Sequence, residues 1–332
     1  MGRFSRFLFL LVICTSVLSP AHATELVFQN GFESGAIELT LWNPQVYDVV
    51  EGATVVDASG GGPVRSGDYA LRMKLAKTDP VDPGGKHRSE LRPRPDLGEL
   101  SYRAPFGVPH VYELSIQLPA DWEPDGPEIV AQWHGMPDRD EFGVAIEPNR
   151  SPPLALRMTY LESPPGSGTF LPAWNIVSHW DDQPVTPPDM SSVTTVTVLE
   201  ATDASADLGE WVDWRFEVTW DWDPVGDGHV RVLKDGVEMA TYEGPNAFHD
   251  DEGPNSKIGL YKWNWPTDVD LRVAYYDDVR IFAASTSIPA LGPRGRLASG
   301  LILAFAGFAL NSAVVWRRRQ EQARSSRPAS RA

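Results

Sequence analysis

The chain has 332 residues, with 45 Asp and Glu against 29 Lys and Arg and a formal net charge of −16. That balance supplies no basic footprint for nucleic acid. The single cysteine, Cys14, rules out a disulfide framework and a thiolate metal centre.

Arg3 and Arg6 precede an apolar run from Phe7 to Leu18, and Ala21-His22-Ala23 follows as an A-x-A cleavage site. Residues 1–23 therefore read as a signal peptide, with the mature chain starting at Thr24. The apolar run is short for a membrane span. Cys14 is not a lipoprotein site, since Ile13 stands where a small residue is wanted. Export is the expectation, to the periplasm or the cell surface.

Residues 24–284 read as one globular domain. Between 24 and 293 the chain carries 19 Lys and Arg against 44 Asp and Glu, a formal charge of −25. This disfavours an unselective grip on polyanions, although a local basic pocket could hold one acidic sugar. Period-two alternation recurs: Tyr112, Leu114, Ile116 and Leu118; Leu154, Leu156, Met158 and Tyr160; Val212, Trp214, Phe216 and Val218. Asp235-Gly236 between two such runs signals a hairpin, and Val269 to Phe282 reads as a closing strand. Pro-rich stretches after Ser151, Ser163 and Thr186 read as surface connections. The pattern predicts an all-β sandwich.

Familiar catalytic motifs are missing: the sequence has no G-x-S-x-G, Walker loop, G-x-G-x-x-G or H-E-x-x-H. Glu141 and Glu147, placed on one strand, would stand about 20 Å apart, too far for a glycosidase pair.

Three segments stand out. In Lys86-His87-Arg88-Ser89-Glu90-Leu91-Arg92-Pro93-Arg94, a strand puts Arg88, Glu90 and Arg92 on one face. In Ile129-Val130-Ala131-Gln132-Trp133-His134-Gly135, alternation puts Ile129, Ala131 and Trp133 on one face and Gln132 and His134 on the other. In Lys257-Ile258-Gly259-Leu260-Tyr261-Lys262-Trp263, Lys257 and Tyr261 share a face roughly 13 Å apart. There Gly259 would leave room for a sugar, on which Trp263 could stack. Read blandly, these are a surface ion-pair ladder, a histidine in a polar network and an aromatic strand.

Together they supply what β-elimination of a uronate requires. The proton at C5 is weakly acidic, and the adjacent carboxylate must be neutralised before it can leave. Arg88, Gln132 and Lys257 are suitable donors toward the developing enolate. His134, with an ordinary pKa near 6.5, suits the base. Tyr261 suits the acid that protonates the departing glycosidic oxygen, with Lys257 expected to lower its pKa. No coenzyme is required.

The Gln-Trp-His segment, the upstream His-Arg-Ser-Glu-Leu-Arg segment and the downstream Lys-x-x-x-Tyr resemble, in that order, the polysaccharide lyases that include heparin lyase I and glucuronan lyases. The resemblance covers most of residues 25 to 283. It implies a concanavalin-like jelly-roll sandwich with His134 as base and Tyr261 as acid or shared acid and base. It places Gln132, Lys257 and an arginine, Arg88, around the carboxylate. The acidic body departs from heparin-degrading members, so an unsulfated uronan is the expected substrate. Phe28-Gln29-Asn30-Gly31-Phe32-Glu33 and Tyr275-Tyr276-Asp277-Asp278-Val279 also resemble the paired first and last strands of concanavalin-like sandwiches. There carboxylates often hold a structural Ca²⁺, which implies Glu33 and Asp278 as ligands. Two other functions stay open: a non-catalytic glycan-binding module, and a glycoside hydrolase on the same fold.

Behind the domain, residues 285–296 read as a linker and Leu297 to Trp316 as a 20-residue transmembrane helix. Arg317, Arg318 and Arg319 open a basic tail over 317–332, cytoplasmic by the positive-inside rule. This end resembles PEP-CTERM and IPTL-CTERM sorting signals.

Overall fold

The protein is described by a computed structural model covering residues 24–46, 48, 51–94 and 101–285. The signal peptide and the transmembrane and basic segments expected at the ends lie outside these residues. Among the described residues, no helix is long and apolar enough to cross a membrane.

Fifteen strands account for the fold: β1 Thr24–Asn30, β2 Trp42–Val46, β3 Ala53–Asp57, β4 Tyr69–Ala76, β5 His87–Pro93, β6 Pro109–Gln117, β7 Glu128–His134 and β8 Leu154–Glu162 come first. After them run β9 Phe170–Trp180, β10 Thr194–Asp203, β11 Trp211–Thr219, β12 His229–Lys234, β13 Val237–Glu243, β14 Asn255–Lys262 and β15 Leu271–Ala284. The helix content among them is one 3₁₀ turn at Ser205–Asp207. The hairpin expected at Asp235-Gly236 joins β12 to β13, with both residues at positive φ as a tight hairpin turn requires.

The strands form two antiparallel sheets. One has the order β13-β12-β11-β6-β15-β4-β3, with β1 also paired to β15; the other has the order β10-β9-β8-β7-β14-β5-β2. The expected all-β sandwich is what forms, because each sheet has one apolar face to bury. Tyr112, Leu114 and Ile116 of β6 and Val212, Trp214, Phe216 and Val218 of β11 all point inward. From the second sheet Trp133 meets them, its ring 5.2 Å from Tyr112 and 4.6 Å from Phe216. Trp174 and Trp214 meet edge to face at 5.3 Å. Tyr276 ties the layers by donating from its hydroxyl to the Val130 carbonyl at 2.9 Å. At one end a buried group of charges does the same. Lys262 lies 3.0 Å from Asp125 and 3.3 Å from Glu128, and Arg272 of β15 reaches Glu128 at 2.9 Å.

The apolar face of the second sheet is thus committed to the core. Its other face is free to carry chemistry.

Candidate active site

β8, β7, β14 and β5 are consecutive in the second sheet, and on their free face lies a cleft of about 340 Å³. Arg88 reaches it from β5, Gln132 and His134 from β7, Arg157 from β8 and Tyr261 from β14. Trp263 lines it just beyond β14, and Asn149 to Pro152 close it near His134. Five of the six residues singled out for catalysis or substrate binding therefore line one hollow. The sixth, Lys257, is buried opposite Gln132 in the β14–β7 register.

Two expectations about this face are overturned, the first by a β-bulge and the second by the approach of a neighbouring strand. The register slips between Ile129 and Ala131 against β8, and between Ile258 and Tyr261 where β14 faces β7. An irregularity of this kind reverses the alternation locally. Val130 therefore joins the core in place of Ile129, and Ile129 lines the cleft. Gly259 does not leave room for a sugar. A Cβ there would stand 2.2 Å from the Ser89 carbonyl oxygen and 2.8 Å from the Glu90 Cα, and its φ is +127°. Glycine is required because the β5 backbone comes this close.

The electrostatics fix the protonation states. His134 Nδ1 lies 2.6 Å from the Gly135 carbonyl, which can only accept, so Nδ1 carries the proton and Nε2 is a free lone pair. Burial, and then the charges of Lys257, Arg88 and Arg150, push the His134 pKa down to about 3. The imidazole is neutral throughout the physiological range. Lys257 is itself pulled down to about 8, chiefly by burial. Tyr261 moves the other way. Burial raises its pKa, and Arg88, whose guanidinium carbon is 4.8 Å from the ring centroid, only partly opposes this. Lys257 was expected to lower it; the nearby cation is Arg88, and desolvation wins. The phenol keeps its proton at neutral pH.

Arg88 is held on several sides. It pairs with Asp82 at 2.8 Å and Glu90 at 3.5 Å, and donates to the Gln45 amide oxygen at 3.3 Å. Glu90 is buried and also accepts from the Gln132 amide, so it orients both. At the other end Arg150 is held by Glu147 and Asp250 and donates to the Thr186 hydroxyl. Two residues read differently from the sequence belong to this anchor. Glu147 is buried in the loop after β7, not on a strand with Glu141, and Thr186 is a buried contact. Asp138, Glu147 and Asp250 converge closely enough to hold an ion, but Arg150 already supplies the counter-charge.

Lys86, Arg88, Arg150 and Arg157 line the cleft, and among the described residues no Asp or Glu does. An acidic chain thus presents cationic side chains on this lining, while the carboxylates that pair with Arg88 and Arg150 are buried and do not line the cleft. Such a cleft favours an anionic ligand and lacks the paired carboxylates of a glycosidase.

Of the two implied calcium ligands, Asp278 points elsewhere. It sits at φ 50° in the irregularity of β15 and pairs with Arg280 at 2.9 Å. Its neighbour Asp277 turns inward and is fully buried. A Cβ on Gly31 would lie 3.6 Å from Asp277 Oδ1 and 4.0 Å from Glu33 Oε1, so these two carboxylates border the same turn. Asp277 accepts backbone N–H bonds from Arg65 and Ser66. Burial pushes its pKa up to about 6, and no ion pair satisfies it among the described residues. A hard cation suits that donor set.

Sequence reasoning missed Arg157, Asp82 and the Arg150 anchor. Arg157 sits in an ordinary alternating strand, and the other two depend on loops that only the fold brings together.

Residues 59–280 match the family described as polysaccharide lyase. A search of curated proteins finds no match. Among solved structures, the endo-β-1,4-glucuronan lyase of the fungus Trichoderma reesei is similar, with 17% identity, 73% of this chain and 94% of that chain covered, and a TM-score of 0.50. A family 7 alginate lyase in complex with substrate aligns at 15% identity over 78% of this chain and 99% of its own, with a TM-score of 0.49. The marine alginate lyase AlyA1 of Zobellia galactanivorans aligns at 14% identity over 76% and 100%, with a TM-score of 0.40. At these identities the likeness is one of fold.

Proposed function

Because this chain belongs to the polysaccharide lyase family, we propose that it cleaves an unsulfated polyuronate by β-elimination, with His134 as base and Tyr261 as acid. The observation that carries this reading is the cleft itself. It is basic, free of carboxylates among the described residues, and lined by a neutral histidine and a protonated tyrosine.

In the proposed reaction, His134 Nε2 takes the C5 proton of a bound uronate. Gln132 and Arg88 donate to the uronate carboxylate, and buried Lys257 adds positive charge behind them, so the enolate that forms is stabilised where its charge develops. The C5–H electrons become the C4–C5 double bond, and the bond from C4 to the glycosidic oxygen breaks. Tyr261 gives that oxygen its proton. One fragment carries a 4,5-unsaturated uronate at its new end, and the other takes the protonated oxygen as a hydroxyl. Proton exchange with solvent restores both side chains.

A panel of polyuronates followed for the absorbance of unsaturated product tests the reading. A glycan-binding module would bind without making new ends, and a hydrolase would release only saturated ends. The pH profile is a second test. The base must be neutral and the acid protonated. A lowered His134 pKa extends the neutral form down toward pH 3, and a raised Tyr261 pKa keeps the phenol protonated above pH 10. We expect kcat/KM at pH 5 to lie within about twofold of its value at pH 7. An unperturbed histidine would lose roughly 25-fold over that interval, and such a loss would contradict the assignment.

Export and membrane attachment through the two ends belong to the same proposal, since a polymer of this kind is met outside the cytoplasm. So does a structural calcium, now with Glu33 and Asp277 as ligands. Calcium at 1 mM should raise Tm by several degrees over the chelator-treated protein; equal melting temperatures would remove the ion from the account.

A further inference from the structure

Arg157 is one of the cleft cations that the chemistry above does not use. It lies on β8 opposite Ile129, which lies opposite Tyr261 on β14. Two strand spacings put its backbone about 10 Å from that of the proposed acid. Its guanidinium carbon is 5.8 Å from the centroid of the Trp263 ring.

Arg157 differs from its counterparts in how its charge is met. Arg88 is paired with Asp82 and Glu90, and Arg150 with Glu147 and Asp250. For Arg157 no ion pair is found among the described residues; its buried Nε, like that of Arg88, also has no hydrogen-bond partner there. The ionisable side chain whose charge it influences is His179, whose Nδ1 bonds to the Pro152 carbonyl and whose pKa burial holds down. Burial also lowers the pKa of Arg157, although guanidinium stays charged at any working pH. A partly desolvated cation with unused donors costs stability unless something supplies the counter-charge. Here the open side is the cleft.

The reacting carboxylate already has donors. Gln132 stands opposite Ala155, not Arg157, so Arg157 is displaced by two residues along β8, about 7 Å from that row. We propose that Arg157, backed by the Trp263 ring, binds the carboxylate of a second uronate in the same chain, one sugar removed from the unit that loses its C5 proton. The assignment rests on the lyase reading of this cleft. It deepens that reading by defining the substrate as a run of consecutive uronates, in which neighbouring units both carry a carboxylate.

Steady-state kinetics of Arg157→Gln and Arg157→Lys on a homopolyuronate test this. We expect Arg157→Gln to raise KM about tenfold or more, with kcat within twofold of the unaltered enzyme. Arg157→Lys should recover part of that loss, because it keeps the charge but not the planar fork. A fall in kcat with KM unchanged would place Arg157 on the reacting carboxylate and overturn the proposal, as would an unchanged KM. If the unaltered protein yields no unsaturated product from any polyuronate, the lyase reading fails by itself. Calorimetric binding of a saturated oligouronate then decides the second site: weakening by Arg157→Gln but less by Arg157→Lys supports it, and equal binding by all three proteins overturns it. Matching thermal melts show that both variants fold.

Discussion

Replacing His134 by alanine should lower the rate of unsaturated-product formation by about 10³-fold, within the 10²–10⁴ range for a positioned general base. The physical reason is specific to this imidazole. Its Nδ1 proton is spent on the Gly135 carbonyl, so Nε2 is the lone pair offered to the cleft. Burial first, and then the charges of Lys257, Arg88 and Arg150, hold it neutral, and two of those cations, Arg88 and Lys257, favour the carbanion that appears when the proton leaves. Alanine removes the lone pair and leaves Arg88, Gln132 and Lys257 in place. Substrate binding should therefore survive, with KM within a few-fold of the unaltered enzyme. Stability should change little or rise in acid. The lowered native pKa means that the unfolded chain binds more protons than the folded one between about pH 6.5 and 3, so the native histidine erodes stability as pH falls through that window. The alanine variant lacks this term. Retention of the full rate would refute the base assignment; a large loss of binding would make His134 a structural residue.

How much of this was legible in the chain depends on which physical rule governed each residue. Gln132 and His134 could be paired from alternation because their strand is regular at that end, and Trp133 between them is plainly core. Ile129 could not be placed, because a slip of one residue at Val130 reverses the face and leaves no mark in composition. Gly259 was visible as an exception, but its cause, the approach of the β5 backbone, lies on a strand some 170 residues earlier in the chain. The same limit applies to charge. The sequence shows that Arg88 is basic. It does not show that Asp82, from the loop before β5, and Glu90 hold it, or that Arg157 has no such partner among the described residues. Adjacent acidic residues posed a further ambiguity. Asp277 and Asp278 differ by one position, and the positive φ of Asp278 sends its side chain to Arg280 while Asp277 is buried.

Tyr261→Phe deletes a single oxygen and should also cost about 10²–10⁴ in kcat on a polyuronate. The ring, and with it the stacking of Arg88 at 4.8 Å, remains, so KM should stay within a few-fold and Tm within a few degrees. That pattern alone does not separate a proton donor from a hydroxyl that merely orients its surroundings. The leaving group does. Tyr261 is proposed to protonate the departing glycosidic oxygen, and its raised pKa makes it a donor that releases its proton only as negative charge builds there. A synthetic uronate with a nitrophenol at C4 departs without that help. On this substrate Tyr261→Phe should recover most of its rate, whereas His134→Ala should remain impaired, because C5–H cleavage is still required. An equal deficit of Tyr261→Phe on both substrates would contradict the acid role and place the hydroxyl in substrate positioning instead.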